Sequence, residues 1–217
     1  MKIRDIMSQN VTTIASNTSI ADAKRIMEVH KVRRLPVVDK GKLVGIITGR
    51  GLERVSPSKA TSLTVWELSY LLEKTTVKEI MDQQVYTATP DMEAEEAIAY
   101  AQSNKVGSLV VIDNDHIVGI VTTNDFFYKI INPLLGIRMP GTRIEIKGGG
   151  DGKKLEEIIS IINKLGLKFT TIHIEFEPDK ATKDVCFHME SENVTNLMQS
   201  LKDKGYIAAI RKRLPTE

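Results

Sequence analysis

Two short segments carry the side chains best suited to chemistry. In GIVTTND, residues 119–125, Thr122 and Asp125 stand three apart at the end of an apolar run. A threonine hydroxyl can donate to a phosphate or sugar oxygen, and a carboxylate accepts from two adjacent ribose hydroxyls. In GIITGRG, residues 45–51, Thr48 is kept, but Gly51 stands where the acid was and Arg50 lies beside it. Upstream, Lys31, Arg33 and Arg34 precede Leu35-Pro36 as a basic turn, suited either to phosphate or to plain solvation. A third group lies further on: strand alternation puts Thr171, His173 and Glu175 on one face, and Cys186, His188 and Glu190 on one face of the next strand. These types suit zinc if the register aligns them, and suit a solvated or dimer-facing sheet surface equally well. No nucleophile–base pair, NTPase-type loop or cofactor fingerprint accompanies them, so we expect neither a catalytic site nor a resident metal.

The elements that must position these residues come from an internal repeat. Shifted by 74 residues, Ile3–Leu52 lies on Val77–Phe126 without a gap, with 15 identities in 50 positions, including Met7/Met81, Val37/Val111, Gly45/Gly119 and Thr48/Thr122. Each copy reads as an extended Val-x-Thr start, a helix, two short apolar strands joined by a turn, and a second helix. In copy one Ser19 is the expected N-cap. One such unit is too small to close a core, so the copies should pack on each other.

The connector SPSKATSLTVWELSYLLEK, residues 56–74, is read as extending the second helix of copy one. Thr64 and Glu67 have capping-box spacing, and Val65, Leu68, Leu71 and Leu72 share a face. That face, with Trp66, suits either packing on its own domain or a homodimer contact. LLGIRMPGT, residues 134–142, reads as linker. The remainder has the order strand, helix, strand, strand, helix, strand, with PDKA as the central turn, which is a ferredoxin-like βαββαβ sheet. Leu155, Ile158, Ile159, Ile162 and Leu165 should face its core. The run GGGDG, residues 148–152, could cradle an anion at a helix start.

Composition excludes several classes. Hydrophobic residues make up 41% and charged residues 27%, which is globular, and 30 basic against 28 acidic residues leave a net charge of +2. That is too small an excess for a nucleic-acid surface, and Arg211-Lys212-Arg213 alone do not change it. The single cysteine, Cys186, rules out a disulfide framework and reads as a buried thiol. There is no apolar run of membrane length and no secretory signal, so a cytoplasmic protein without a membrane partner is expected.

The tandem GIIT-Gly-Arg-Gly-Leu and GIVT-Thr-Asn-Asp-Phe segments, with KVRRLPVVD upstream, resemble CBS domains. The connector narrows the likeness to acetoin-utilisation (AcuB-type) proteins, which join a CBS pair to an ACT domain. The resemblance implies an α/β (α+β) fold of two βαββα repeats plus a βαββαβ ACT domain. Its expected divisions are repeat 1 at 1–55, connector at 56–76, repeat 2 at 77–132, linker at 133–141 and ACT domain at 142–217. It further implies a regulatory, homodimeric sensor with no obligatory cofactor, whose ligand is an adenosine nucleotide (AMP, ADP, ATP or S-adenosylmethionine); a role in acetoin catabolism or nucleic-acid regulation is the alternative. Carried over residue by residue, Asp125 and Thr122 would hold the ribose, with the base near Thr12, Thr13, Val32 and Arg34 and phosphate at Arg33 and Arg34. Thr48 and Arg50 would form a weaker second site, because Gly51 lacks the acid. The ACT ligand loop departs from its family pattern at Gly150, Gly152 and Lys153.

Overall fold

The paired apolar runs of each repeat fold into hairpins with the same irregularity at the same place. In the first, β1 (Arg34–Asp39) pairs antiparallel with β2 (Lys42–Thr48), and the register slips after Val37↔Gly45. In the second, β4 (Ser108–Asp113) pairs with β5 (His116–Thr122), and the slip follows Val111↔Gly119. Both loops, Lys40-Gly41 and Asn114-Asp115, hold positive φ at both positions. That twist matches the strands of a two-residue hairpin. The computed structural model describes residues 1–55, 64–176 and 182–211, in two units, Met1–Phe126 and Phe127–Glu217.

Around the hairpins of the first unit lie α1 (Ile3–Ile6), α2 (Ile20–Val29), α3 (Gly49–Val55), α4 (Val65–Lys74), α5 (Ala94–Ser103) and α6 (Thr123–Phe126). Ser19 caps α2 by accepting from Asp22 N at 3.0 Å. The extended start of copy two forms the short strand β3 (Thr87–Ala88), parallel to β4; its counterpart in copy one is a single bridge, Ile14↔Val37. The core of copy one gathers Ile20, Ala23 and Met27 of α2 against Leu35, Val37 and Ile47 of the hairpin.

The copies are joined by exchange. Ser8 of copy one bridges Ile120 of copy two, and Asp82 of copy two bridges Ile46 of copy one. Met7 lies over Gly119 and Met81 over Gly45, so closely that a Cβ at either glycine would sit 2.5 Å from the methionine Sδ. Each hairpin is therefore flanked by the other copy's opening segment.

The connector departs from expectation. A capping box at Thr64 and Glu67 starts α4 afresh, so α4 is a separate helix and does not continue α3. Residues 56–63 lie outside the described residues. Leu72 packs on the core of copy one, whereas Leu71 and Trp66 are exposed, Trp66 at 86%. The side chains of Val65 and Leu68 also lie outside the described residues.

In the second unit, β6 (Thr142–Ile146), β7 (Phe169–Glu175), β8 (Asp184–Met189) and β9 (Ala208–Arg211) form one antiparallel sheet ordered β7-β8-β6-β9. With α8 (Gly152–Lys164) and α9 (Thr195–Asp203) between strands, this is the split βαββαβ arrangement. A helical turn, Phe127–Ile131, and α7 (Asn132–Leu134) precede the sheet. Ile158 and Ile162 of α8 and Leu197 and Leu201 of α9 pack on Ile144, Ile146, Val185 and Phe187. Leu165 does not join them: it is the C-cap of α8 and is 37% exposed. The turn PDKA and residues 212–217 lie outside the described residues.

Candidate functional site

Exchange of the opening segments brings the end of β2 and the start of α3 alongside the loop that opens copy two. Between them lies a cleft of about 1160 Å³, somewhat above the roughly 300–1,000 Å³ of ordinary ligand sites. Copy one contributes Arg33, Arg34, Thr48, Gly49, Arg50 and Glu53; copy two contributes Asp82, Gln83, Gln84, Tyr86, Val106 and Gly107, among others. The cleft is thus composite, and neither copy could form it alone.

Its electrostatics are set by three guanidinium groups against the carboxylates of Glu53 and Asp82. Arg34 is half-buried, and burial first, then the neighbouring Arg33, holds its pKa below the ordinary arginine value. Its guanidinium lies against Gly107, where an added Cβ would meet Nη2 at 2.8 Å. Among the described residues, no ion pair neutralises Arg33, Arg34 or Arg50. A half-buried guanidinium beside an exposed like charge is stabilised by an anion that enters between them.

The two repeats differ in how their threonines are used. In copy two, Thr122 N and Oγ1 both donate to Asp125 Oδ2, at 2.9 and 2.7 Å. Asp125 thereby ties the first turn of α6 back to Thr122, three residues earlier. In copy one Gly51 N donates to Thr48 Oγ1 at 3.1 Å. The hydroxyl that donates to a carboxylate in one copy accepts from the backbone in the other.

Of the residues singled out from sequence, Arg33, Arg34, Thr48 and Arg50 line the cleft, whereas Thr12, Thr13, Val32, Thr122 and Asp125 do not. Arg33 and Arg34 stand on the cleft that also holds Gly49 and Arg50, together with Thr123 and Asn124, the neighbours of Asp125. Sequence reasoning missed Glu53, Asp82, Gln83, Gln84, Tyr86 and Val106. The offset of 74 held the signal, since it carries Thr12 to Tyr86 and Val32 to Val106.

Register settles the third group of the second unit. Thr171 faces His188, and His173 faces Cys186, on the sheet face away from the helices; Glu175 faces Asp184, and Glu190 lies beyond the end of β8. Arg211 bridges Glu145 at 2.7 Å and Glu175 at 2.9 Å, while Lys147 pairs with Glu145 and with Asp184, the latter at 2.9 Å. Glu145 is held below the usual carboxylate range chiefly by these hydrogen bonds from Arg211 and Lys147. His188 Nε2 lies 2.9 Å from the Pro140 carbonyl, to which it donates, and Gly136 presses on the ring. Residues read as linker thus pack on the sheet. Burial pushes the Cys186 thiol up, as expected of an inert thiol. Among the described residues, no group of three or more His, Cys, Asp or Glu is placed to hold a metal ion.

The GGGDG run spends most of its amides on the protein itself. Gly148 N donates to Asp184, Gly149 N to the Ile146 carbonyl and Gly150 N to the Lys183 carbonyl, and Asp151 itself caps α8 by accepting from Lys154 N. The amides of Gly148, Gly149 and Gly150 are thus already engaged, and the Asp151 carboxylate stands where an anion would meet the helix start.

The first unit is thus a pair of intertwined α/β repeats with a composite, cation-rich cleft between them. Residues 3–56 and 77–132 match the family model for the CBS domain, and the chain belongs to that family. An L-aspartate semialdehyde sulfurtransferase of Methanocaldococcus jannaschii is 37% identical over 127 residues, which is 57% of this chain but only 22% of that protein. The crystal structure of a protein named as an acetoin utilization protein (AcuB), from Vibrio cholerae, is 32% identical, covering 61% of this chain and 91% of that one at a TM-score of 0.50. The CBS domain pair of protein MJ0100, solved with 5′-methylthioadenosine and S-adenosyl-L-methionine, is 31% identical over 58% of this chain and 92% of that one at a TM-score of 0.48. Among the described residues no helix is long and apolar enough to cross a membrane.

Proposed function

We propose that the chain is a regulatory sensor whose CBS pair binds an adenosine nucleotide between its repeats. The observation that carries this reading is the composite cleft, built from both copies and lined by Arg33, Arg34, Arg50, Thr48 and Tyr86. A ligand seated there touches both repeats, so its binding energy depends on their relative placement, which is how a binding event is converted into a conformational signal. The βαββαβ order of the second unit supports reading it as an ACT-type domain that receives this signal within a homodimer. Turnover of acetoin or another substrate is not part of this reading.

Calorimetry of the full chain with AMP, ADP, ATP and S-adenosylmethionine is the direct test. Binding by at least one, weakened when Thr48 or Arg34 is replaced by alanine, is expected. Failure of all four to bind would overturn the reading.

A further inference from the structure

The buried side-chain polar atoms that lack a hydrogen-bond partner among the described residues all fall on one patch. They are Arg143 Nε, Thr171 Oγ1, His173 Nδ1 and His188 Nδ1. Register makes their residues neighbours on the sheet face away from the helices: Arg143 of β6 and Thr171 of β7 flank His188, and His173 is the next residue on that face of β7. A buried donor or acceptor left unpaired forfeits the hydrogen bond that water would supply, and native proteins hold few of them. Several at adjacent positions mark a face that is better hydrated than covered. Residues 131–140, which lead into β6, lie over it: α7 packs against β7, and Gly136 sits on the His188 ring. The N–H groups of Leu135, Gly136, Ile137 and Met139 donate to the carbonyls of Ile131, Pro133, Asn132 and Gly136, all within this stretch, so lifting it off the sheet leaves them made. His188 Nε2 donates across to the Pro140 carbonyl at 2.9 Å. Leu134 and Ile137 remain exposed, and Arg138 holds φ at 65° without a glycine's freedom.

We propose that residues 131–140 form a two-state strap, closed on the sheet in this structure and open in a second state that hydrates the face of Arg143, Thr171, His173 and His188. Closing gains apolar contact and the His188 hydrogen bond. Opening returns the orphaned polar atoms to water and releases Arg138 from its left-handed backbone. These terms oppose one another, so the strap opens well before the sheet itself unfolds. The strap lies on the covalent path from the first unit to the sheet, so a pull on residue 126 acts on it whichever ligand the cleft takes.

The test is trypsin cleavage of the full chain after Arg138, followed by mass under native conditions. Cutting there reads the open population when the strap closes faster than it is cut. The parent chain should be cut at a rate that barely changes in low urea, because a local opening exposes little surface. Gly136→Ala should be cut about tenfold faster, since the new Cβ would stand 2.4 Å from His188 Nδ1 at a φ of 62–64° or so and keep the strap from closing. Thr171→Val removes an orphaned hydroxyl with little change of shape and should be cut about fivefold slower. Ile158→Val weakens the helix side of the same sheet; it should lower the global urea midpoint and leave this cut unchanged. Circular dichroism checks each fold, and if Gly136→Ala does not fold, the parent's urea dependence and Thr171→Val decide. Cleavage after Arg138 that follows global unfolding in urea, or a Thr171→Val chain cut at the parental rate, would overturn the strap.

Discussion

Replacing Gly45 by alanine tests the exchanged packing of the two repeats directly. The new Cβ would stand 2.5 Å from Met81 Sδ, 3.0 Å from its Cγ and 3.1 Å from the Asp82 carbonyl oxygen. The thioether can swing aside, but the carbonyl cannot, because Asp82 O accepts from Ile46 N at 2.9 Å. Overpacking of this kind costs about 1–3 kcal/mol. Alanine narrows the unfolded ensemble, which offsets about 0.4–1 kcal/mol. The expected net loss is about 1–2 kcal/mol, or a fall in Tm of about 3–10 °C for a unit of this size. Gly119→Ala should match it, since Met7 Sδ and the Ser8 carbonyl stand at 2.5 and 3.2 Å from its Cβ position. Urea denaturation of both variants measures the loss. In a double-mutant cycle, Met81→Ala should recover part of the Gly45→Ala cost by supplying room for the methyl group. If both alanine variants unfold at the parental midpoint, the repeats are not held by this contact and the exchanged arrangement is refuted.

Asp115→Gly should raise stability by about 0.5–1 kcal/mol, read as a higher unfolding midpoint, because Asp115 holds φ at 64° in a loop that favours glycine there. Acid should loosen the second unit: the depressed carboxyl of Glu145 contributes stability above its unfolded value of about 4.3, and that contribution is lost as the pH falls through the lower native value. Arg211→Ala should cost about 1–2 kcal/mol at neutral pH and shrink this acid dependence, seen by thermal unfolding across pH. Tyr206 donates to Glu157 at 2.7 Å, and burial with that neighbour pushes its phenol up to about 12. Its stabilising contribution is complete below pH 10 and lost between pH 10 and 12, so phenolate absorbance should show one late-titrating tyrosine that Glu157→Gln brings earlier.

Much of the fold was legible because it is written locally. The 74-residue repeat, the helix starts at Ser19 and Thr64, the positive-φ loops after Asp39 and Asp113, and the strand order of the second unit all depend on neighbours a few residues away. What was not legible depends on partners distant in the chain. Periodicity marks Met7 and Met81 as apolar, but it does not say that each serves the other copy's hairpin. For the same reason the linear motif does not say that Arg33 and Arg34 share a cleft with Asp82 and Tyr86 of the other copy. His188 likewise reads as a polar residue on an open face, and only folding shows that Gly136 and Pro140 close over it.

The exchange of opening segments has a consequence for how this protein could diversify. When two identical chains associate about a twofold axis, every substitution is made twice, and both clefts must change together. A single chain holding both copies is freed from that constraint. It can keep the acid at Asp125 and discard it at Gly51 while the packing that joins the halves, Met7 on Gly119 and Met81 on Gly45, stays symmetric. Covalent fusion thus gives the molecule two unlike strand-to-helix turns on one shared frame, each open to mutation without the other's consent.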